Sequence, residues 1–350
     1  MSLSIYPYWI TGFAMTALSF VTVFNDFSLG YSLSKMSVTL AGSDQRLLPT
    51  IYCSCFGMVN IWKEPIQAIV PHLKDAYSIS VKSGMVDNAC AASMFYCYRA
   101  FFTGSMLTPL GKEVASFMRM SDRRNRKVMS LSMLPVSNAI SCLGDISSEF
   151  RSAEDFITDE HLAEAVRSNE FTVCESMLAI KFMCSFIFRR FDEVKTCARQ
   201  YLELFERQGD AAAQFINIYR IFYGCMISLH FYRESQDQFW MDRATHAVKK
   251  METWMAASEW NFENKLFLLQ AESHYAVGEM DRAAEKYTLA IESSRKHRFV
   301  HEEALACELA AAFHEKLGNA DLAEKLTGKA VECYQKWGAE KKVNSLQQSL

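Results

Sequence analysis

Residues 264–291 read NKLFLLQAESHYAVGEMDRAAEKYTLAI, and residues 304–331 read ALACELAAAFHEKLGNADLAEKLTGKAV. Aligned without gaps, the two stretches repeat the same kinds of residue about 40 positions apart. The matched positions are Phe267 and Cys307, Ala271 and Ala311, His274 and His314, Gly278 and Gly318, Asp281 and Asp321, Ala283 and Ala323, Tyr287 and Thr327, and Ala290 and Ala330. This repetition predicts that the C-terminal part of the chain contains copies of one structural unit.

Each copy is predicted to be a hairpin of two antiparallel helices. Small residues at Ala271, Ala283 and Ala290 let the two helices approach closely. Gly278 permits a left-handed exit from the first helix, and Asp281 is an acidic residue at the start of the second. Because one such hairpin buries too little apolar surface to fold alone, we expect it to stack on its neighbours, as tetratricopeptide-like hairpins do.

The remaining sequence extends this prediction to the whole chain. All six prolines lie between positions 7 and 135, so long helices are permitted beyond them. Predicted hairpin tips recur about every 40 residues, near positions 25, 63, 104, 144, 190, 234, 278 and 318. The predicted fold is all-α, a right-handed superhelix of antiparallel helical hairpins. Its predicted divisions are N-terminal repeats over 1–145, a loop or degenerate insertion over 146–168, and C-terminal repeats over 169–350, with the best-matching units at 261–297 and 300–337.

Composition favours a globular protein of a reducing compartment. The 350 residues are 50% hydrophobic and 22% charged, and the net charge of −3 argues against a nucleic-acid partner. The 11 cysteines include no Cys-x-x-Cys pair, which disfavours a secreted disulfide framework and a structural zinc site. We therefore expect a cytoplasmic location.

The N-terminus has two interpretations. No charged residue precedes Asp26, and the run from Trp9 to Phe24 is strongly apolar. A buried first helix that turns at Asn25 and Asp26 is the expected structure, because the run is interrupted by Thr, Ser and Gly. The alternative is a membrane-tethered adaptor held by residues 5–24.

Two segments of the sequence resemble catalytic motifs, and both are incomplete. Gly111-Lys112 is followed by Glu113, so no phosphate-binding loop is formed. His301-Glu302-Glu303 lacks a second histidine one turn later, since Leu305 stands there, and the recurring His274 and His314 are expected to be core residues. We expect no enzyme, no cofactor and no metal. The alternative is an enzyme whose site lies in the degenerate middle, around 145–170.

Partner-binding residues are predicted from the first helices of the hairpins, which line the concave surface of such a stack. Counting back from the tip at Gly104 places four side chains on that surface, and a second aromatic group occurs between Tyr219 and Tyr232. Arg99 and Arg220 are single charges inside apolar helices and need a solvent, carboxylate or ligand partner. The alternative is that the rings fill the core between repeats. The predicted partner-binding residues are Met94, Tyr98, Arg99, Phe101, Phe102, Arg220 and Tyr223.

Several segments resemble the helical-repeat region of large multidomain signalling ATPases, in which a protein-kinase-like domain, an AAA-type ATPase and a sensor histidine kinase are fused. The segments are Asn60-Ile61-Trp62-Lys63-Glu64-Pro65, Tyr77, Gly84, Asn264-Lys265-Leu266, Ala271-Glu272, residues 302–310, and residues 334–339. The resemblance runs from about Val21 to the end but consists of packing motifs. It implies an arm that docks or restrains a neighbouring domain, and it carries over no catalytic residue.

These observations predict a non-catalytic protein-interaction scaffold or regulatory arm of a signalling protein. Its expected partner is a protein or peptide, including a neighbouring kinase or ATPase domain, which is bound in the concave groove. Nucleic acid and membrane are not expected as partners.

Overall fold

The computed structural model describes residues 6–144, 160, 162–163, 167, 171–207 and 215–348. Sixteen α-helices with complete bounds lie in these ranges, and the described residues contain no strand. In chain order they are α1 Tyr6–Thr22, α2 Phe27–Ala41, α3 Leu48–Ser54, α4 Ile66–Lys82, α5 Val86–Phe102, α6 Leu107–Arg123, α7 Lys127–Leu143, α8 Phe171–Ile187, α9 Asp192–Arg207, α10 Phe215–Ser235, α11 Gln238–Ala257, α12 Glu259–Ala276, α13 Met280–Lys296, α14 Val300–Lys316, α15 Ala320–Trp337 and α16 Glu340–Gln347. The predicted all-α fold is confirmed.

The two repeats that decide the fold are the hairpins α12/α13 and α14/α15. Gly278 and Gly318 adopt φ of 83° and 80° between the helices of each pair, as the left-handed exit requires. Ala283 and Ala290 are fully or almost fully buried where α13 packs on α12. The small residues therefore do what the sequence pattern predicted, and the helices of each hairpin lie close together.

The helices form two layers. The buried helices α5, α7, α8, α10, α12 and α14 follow one another in an inner layer, in which each packs on the next. The helices α4, α6, α9, α11, α13 and α15 lie outside them and keep a solvent-exposed polar face. Outer and inner helices alternate from α4 to α7 and again from α8 to α15, and each outer helix buries only one side.

One irregular segment interrupts this regular arrangement. After α3 the chain forms a π-helical turn, Cys55–Val59, and then a 3₁₀ turn, Asn60–Trp62. Gly57 lies in the π turn, where a Cβ atom would come within 2.8 Å of the Phe95 ring. The glycine thus lets the π turn rest directly against α5.

The two halves of the chain contact each other through aromatic side chains. The ring of Phe102 on α5 stacks on Tyr219 of α10, with centroids 3.5 Å apart, and Phe101 contacts Trp337. Trp62 stacks on Phe262 of α12 at 5.5 Å. The stack of hairpins is therefore closed by aromatic contacts between residues more than 100 positions apart.

One predicted segment lies mostly outside the residues that the structure describes, and one prediction from the sequence is wrong. The predicted insertion, 146–168, lies almost wholly outside the described residues. His274 and His314 are not core residues: both lie partly exposed at the ends of inner helices, where their Nδ1 atoms contact Glu279 at 2.6 Å and Asn319 at 3.4 Å. The position tolerates a polar ring because it faces the hairpin tip.

The apolar N-terminal run forms α1. One side of this helix is buried through Ile10, Ala14, Ala17 and Val21, whereas Trp9 is 65% exposed. None of the helices in the described ranges combines the length and the apolar character required to cross a bilayer.

Candidate binding cavities

A cavity of about 290 Å³ lies in the inner layer, between α5, α7, α8, α10 and the π turn. We call it the Arg99 cavity. Its lining is mostly apolar and includes three of the predicted partner-binding residues, Met94, Tyr98 and Arg99. The full lining is Met58, Met94, Phe95, Tyr98, Arg99, Ser132, Val173, Ser176, Phe215 and Ile216.

Arg99 is the one charged residue in this lining. Two contacts hold its side chain. Nη2 donates a hydrogen bond to the carbonyl oxygen of Gly57, and Cζ lies 3.6 Å from the centroid of the Phe215 ring. Burial lowers the pKa of Arg99 to about 9, with a smaller opposing contribution from the neighbouring Tyr219. The guanidinium is therefore still positive near neutral pH.

Tyr98 forms the polar wall opposite the apolar residues. Its hydroxyl donates a hydrogen bond to the backbone oxygen of Ser132 at 2.9 Å, and burial raises its pKa. A hydrogen bond with the Ser176 side chain opposes this shift in part. The hydroxyl is therefore neutral near pH 7 and is hydrogen-bonded to residues of both α7 and α8.

The other predicted partner-binding residues are internal. Phe101, Phe102 and Tyr223 are at most 2% exposed and pack in the core, so they present no surface to a partner. Arg220 is buried as well, and its Nε lies 3.2 Å from Asn217 Oδ1 and 3.9 Å from a carboxylate oxygen of Glu175. Burial raises the pKa of Glu175 and lowers that of Arg220. These four side chains therefore lie in the interior and not on an exposed concave groove, because neighbouring helices of the chain cover them.

A second cavity, of about 240 Å³, lies between α10, α12, α14 and the turn that follows α8. We call it the basic cavity. Three cations and one carboxylate line it, together with aromatic and small apolar side chains. The lining is Arg189, Phe191, His230, Arg233, Glu272, Tyr275, Tyr287, Leu309, Ala312, Phe313 and Lys316.

The carboxylate of this cavity is already neutralised from within. Arg233 contacts Glu272 at 2.7 Å, and the Tyr287 hydroxyl donates to the other oxygen of Glu272 at 2.5 Å. Lys316 is exposed, and its Nζ lies 5.6 Å from the centroid of the Tyr275 ring. Arg189 is likewise paired, since its Nη2 lies 3.3 Å from Glu308 Oε1. Lys316 is thus the one cation of this lining without a carboxylate partner among the described residues, and it lies beside an aromatic ring.

His230 adds no charge to this surface near neutral pH. Its ring stacks on Phe191, with centroids 3.4 Å apart. Burial is the largest cause of a pKa lowered to about 4, and Glu234 only partly opposes it. The imidazole is therefore neutral there.

The residues of the basic cavity were not predicted from the sequence. Arg233 and Lys316 stand three and two positions before the left-handed residues Gln236 and Gly318, at the ends of α10 and α14, and Arg189 is itself the left-handed residue after α8. Cations near the end of a helix are favoured by the helix dipole and are typical of helix C-termini, so their presence there did not indicate a site.

One group of side chains has a donor set suited to a metal ion. Glu259, Glu263 and His297 place one possible ligand atom each within 4.8 Å of the others. Protein groups already occupy two of these ligands: Lys296 contacts Glu259 at 3.2 Å, and Ser293 donates to Glu263 at 2.7 Å. Glu259 is moreover exposed, so this arrangement is typical of a surface ion-pair network.

No protein-family model matches the chain, and no curated protein matches it in sequence. Among solved structures, it aligns with a protein described as a circular tandem repeat protein with novel repeat topology and enhanced subunit contact surfaces. The alignment has 12% sequence identity and a TM-score of 0.24, and covers 98% of this chain and 94% of the other. A likeness this low carries no argument about the fold or the function of this chain.

Proposed function

We propose that the protein is a non-catalytic interaction scaffold or regulatory arm that docks an acidic segment of a protein partner on the basic cavity. The observation that carries the proposal is that Lys316, exposed beside the Tyr275 ring, has no carboxylate within ion-pair distance among the described residues. The other two cations of the lining, Arg233 and Arg189, are paired with Glu272 and Glu308. Arginine and aromatic side chains contribute strongly to protein interfaces, and the cavity offers both.

The shape of the cavity favours an extended segment as the partner. Three consecutive inner helices, α10, α12 and α14, contribute to its walls, so its surface runs across hairpins instead of lying within one. A peptide lying across these helices reaches Arg233, Tyr275 and Lys316 in turn, with carboxylates placed at the cations. Electrostatic complementarity of this kind sets specificity and association rate more than affinity.

Cellular context extends the proposal. All 11 cysteines are free thiols, which is compatible with the reducing environment of the cytoplasm. The resemblance to signalling ATPases suggests that the docked segment belongs to a neighbouring kinase or ATPase domain.

The experiment selects peptides from a displayed library of random 12-residue sequences on the immobilised full chain. We expect enrichment of sequences that combine Asp or Glu with an apolar residue. A Lys316→Glu variant should bind a synthesised selected peptide at least tenfold more weakly than the wild type. Added salt should weaken binding to the wild type and should change binding to the variant less, because the attraction that salt screens has been removed.

The matched control is Lys325→Glu, which makes the same charge change on the exposed side of the outer helix α15. This variant should bind the selected peptide as the wild-type chain does. Selection of peptides without acidic residues, or equal loss of binding in both variants, would contradict docking at the basic cavity.

A further inference from the structure

Arg99 and Arg220 are both buried arginines of the inner layer, but only Arg220 has a counter-ion. Arg220 lies beside Glu175, whose carboxylate is buried with it. Arg99 is 2% exposed, has no carboxylate within ion-pair distance among the described residues, and has no acceptor for its Nε–H. The protein therefore keeps one guanidinium unpaired inside its core.

A buried charge of this kind destabilises the folded protein unless a counter-ion is bound beside it. Removing a charged group from water without a counter-ion costs several kcal/mol, which a single carbonyl acceptor and one aromatic face offset only in part. A guanidinium provides donors in a planar fork that matches a carboxylate. The unpaired group belongs to the wall of a cavity rather than to solid packing, so that a partner can reach it from the cavity.

The rest of the lining limits the chemistry of this partner. Met58, Phe95, Val173 and Phe215 form an apolar surface that has no second cation. A phosphate dianion would need more positive charge or several backbone donors, whereas one guanidinium balances one monoanion. The volume of about 290 Å³ is close to the lower limit of small-molecule sites.

We propose that the Arg99 cavity binds a small monocarboxylate whose apolar body is the size of a phenylpropyl group, with the carboxylate on the Arg99 guanidinium. The body then contacts Met94, Phe95 and Val173, and the Tyr98 hydroxyl oxygen lies at the polar end. This site is separate from the basic cavity and does not depend on the proposed scaffold function.

The test measures binding of 3-phenylpropionate and of its neutral analogue 3-phenylpropan-1-ol to the full chain, by calorimetry at pH 7. The acid should bind at least tenfold more tightly than the alcohol, and it should raise the thermal midpoint of unfolding in proportion to its saturation. Equal affinity for the two compounds would overturn the proposal.

Two substitutions test whether the preference for the acid depends on Arg99. Arg99→Met should remove the preference for the acid and leave stability equal or higher, because an unpaired charge is replaced by an apolar side chain of similar length. Arg220→Met is the control, since it leaves Glu175 without its cation: stability should fall and the tenfold preference should remain in the folded protein. A preference for the acid that survives Arg99→Met would refute the assignment.

Met94→Trp provides an independent variant that keeps Arg99. The larger side chain fills the cavity from α5, so both compounds should lose affinity at least tenfold. Undiminished binding in this variant would place the ligand elsewhere and refute the cavity as its site.

Discussion

At the scale of residues, the centre of the molecule holds a group of buried polar side chains. Lys265 is 1% exposed. Its Nζ donates hydrogen bonds to Glu302 at 2.8 Å and to the Asn261 backbone oxygen at 3.0 Å. Burial lowers the pKa of Lys265, and the carboxylate of Glu302 partly restores it. His301 adjoins this pair, with its Nε2 3.6 Å from the second oxygen of Glu302.

His301 makes the protein sensitive to acid. Burial lowers the pKa of His301 to about 4, against 6.5 for an exposed histidine, and the neighbouring Glu302 only partly opposes the shift. The unfolded chain therefore takes up a proton at a higher pH than the folded protein does. Stability should be unaffected by this group above pH 6.5, fall between pH 6.5 and 4, and have lost about 3 kcal/mol below that range.

Urea unfolding of the wild type and of His301→Phe, measured from pH 7.5 to 4.5, checks this expectation. The variant retains a buried ring beside Trp337 and should lose less stability over the range. At pH 7.5 the two proteins should differ by less than about 1.5 kcal/mol, as for a swap of similar volume. Parallel pH profiles would show that the acid sensitivity comes from other groups.

Residue roles were predictable where the cause is local. Asp281 and Gly278 were assigned from sequence spacing, and the backbone follows that assignment. Arg99 and Arg220 were both identified as charges in need of a partner, but the sequence offered no way to tell them apart. Their partners, Phe215 for one and Glu175 for the other, come from helices distant in sequence, and only the packing decides between them.

At the scale of elements, the tips between helices fix the length of each hairpin. Gly318 has φ of 80°, and a Cβ atom added there would meet nothing within 4 Å. Gly328 lies on the exposed side of α15 and is equally unobstructed, but its backbone is helical. The two glycines therefore separate the effect of backbone conformation from the effect of crowding.

We expect Gly318→Ala and Gly328→Ala to change stability in opposite directions. At Gly318 an L-residue is forced into a left-handed conformation, which should cost about 1–2 kcal/mol. At Gly328 alanine improves helix propensity and should stabilise by about 0.5–1 kcal/mol. Chemical denaturation of both variants measures the difference. Two changes of the same sign would contradict the role of Gly318 as the helix exit.

The predicted elements match the observed ones best where turn chemistry is explicit. The tips at Asn25, Gly104, Gly278 and Gly318 all adopt positive φ between two helices. The π turn at Cys55–Val59 was not predicted, because its causes are contacts with α5: Gly57 admits the Phe95 ring and accepts a hydrogen bond from Arg99. The hydrophobic periodicity of a sequence carries no information about contacts of this kind.

At the scale of the whole molecule, the decisive feature is that the N-terminal and C-terminal halves hold each other together. The repeat pattern predicts contacts between neighbouring hairpins only, and it therefore predicted an open concave groove. The rings of Phe102 and Tyr219 occupy that space from opposite halves. Apolar inner helices were predicted, but the element that covers them could not be identified, since an apolar face specifies burial and not a particular neighbour.

Asn261 is a buried polar link between the halves, next to the hydrogen bonds of Gln67 with Trp260 and His297. Its Nδ2 donates to the backbone oxygens of Ile61 at 2.7 Å and Glu64 at 2.8 Å, and its Oδ1 accepts from the backbone N–H of Ile66 at 3.0 Å. The helix α4 has no local side-chain cap at its start, so a residue about 200 positions away in sequence satisfies its first amide. Asn261→Ala would leave these buried groups unpaired and should cost at least about 3 kcal/mol.

Hydrogen exchange distinguishes this link from a merely local contact. In Asn261→Ala the amide of Ile66 should exchange faster, and the start of α4 should open below the denaturant concentration that unfolds α12 to α15, because the halves no longer share a hydrogen-bonded joint. Asn88→Ala is the matched control, since Asn88 donates to Thr50 at 2.8 Å within the N-terminal half. It should cost about 1 kcal/mol and leave unfolding a single transition. If Asn261→Ala also unfolds in one transition with unchanged exchange at Ile66, the other contacts between the halves join them without Asn261.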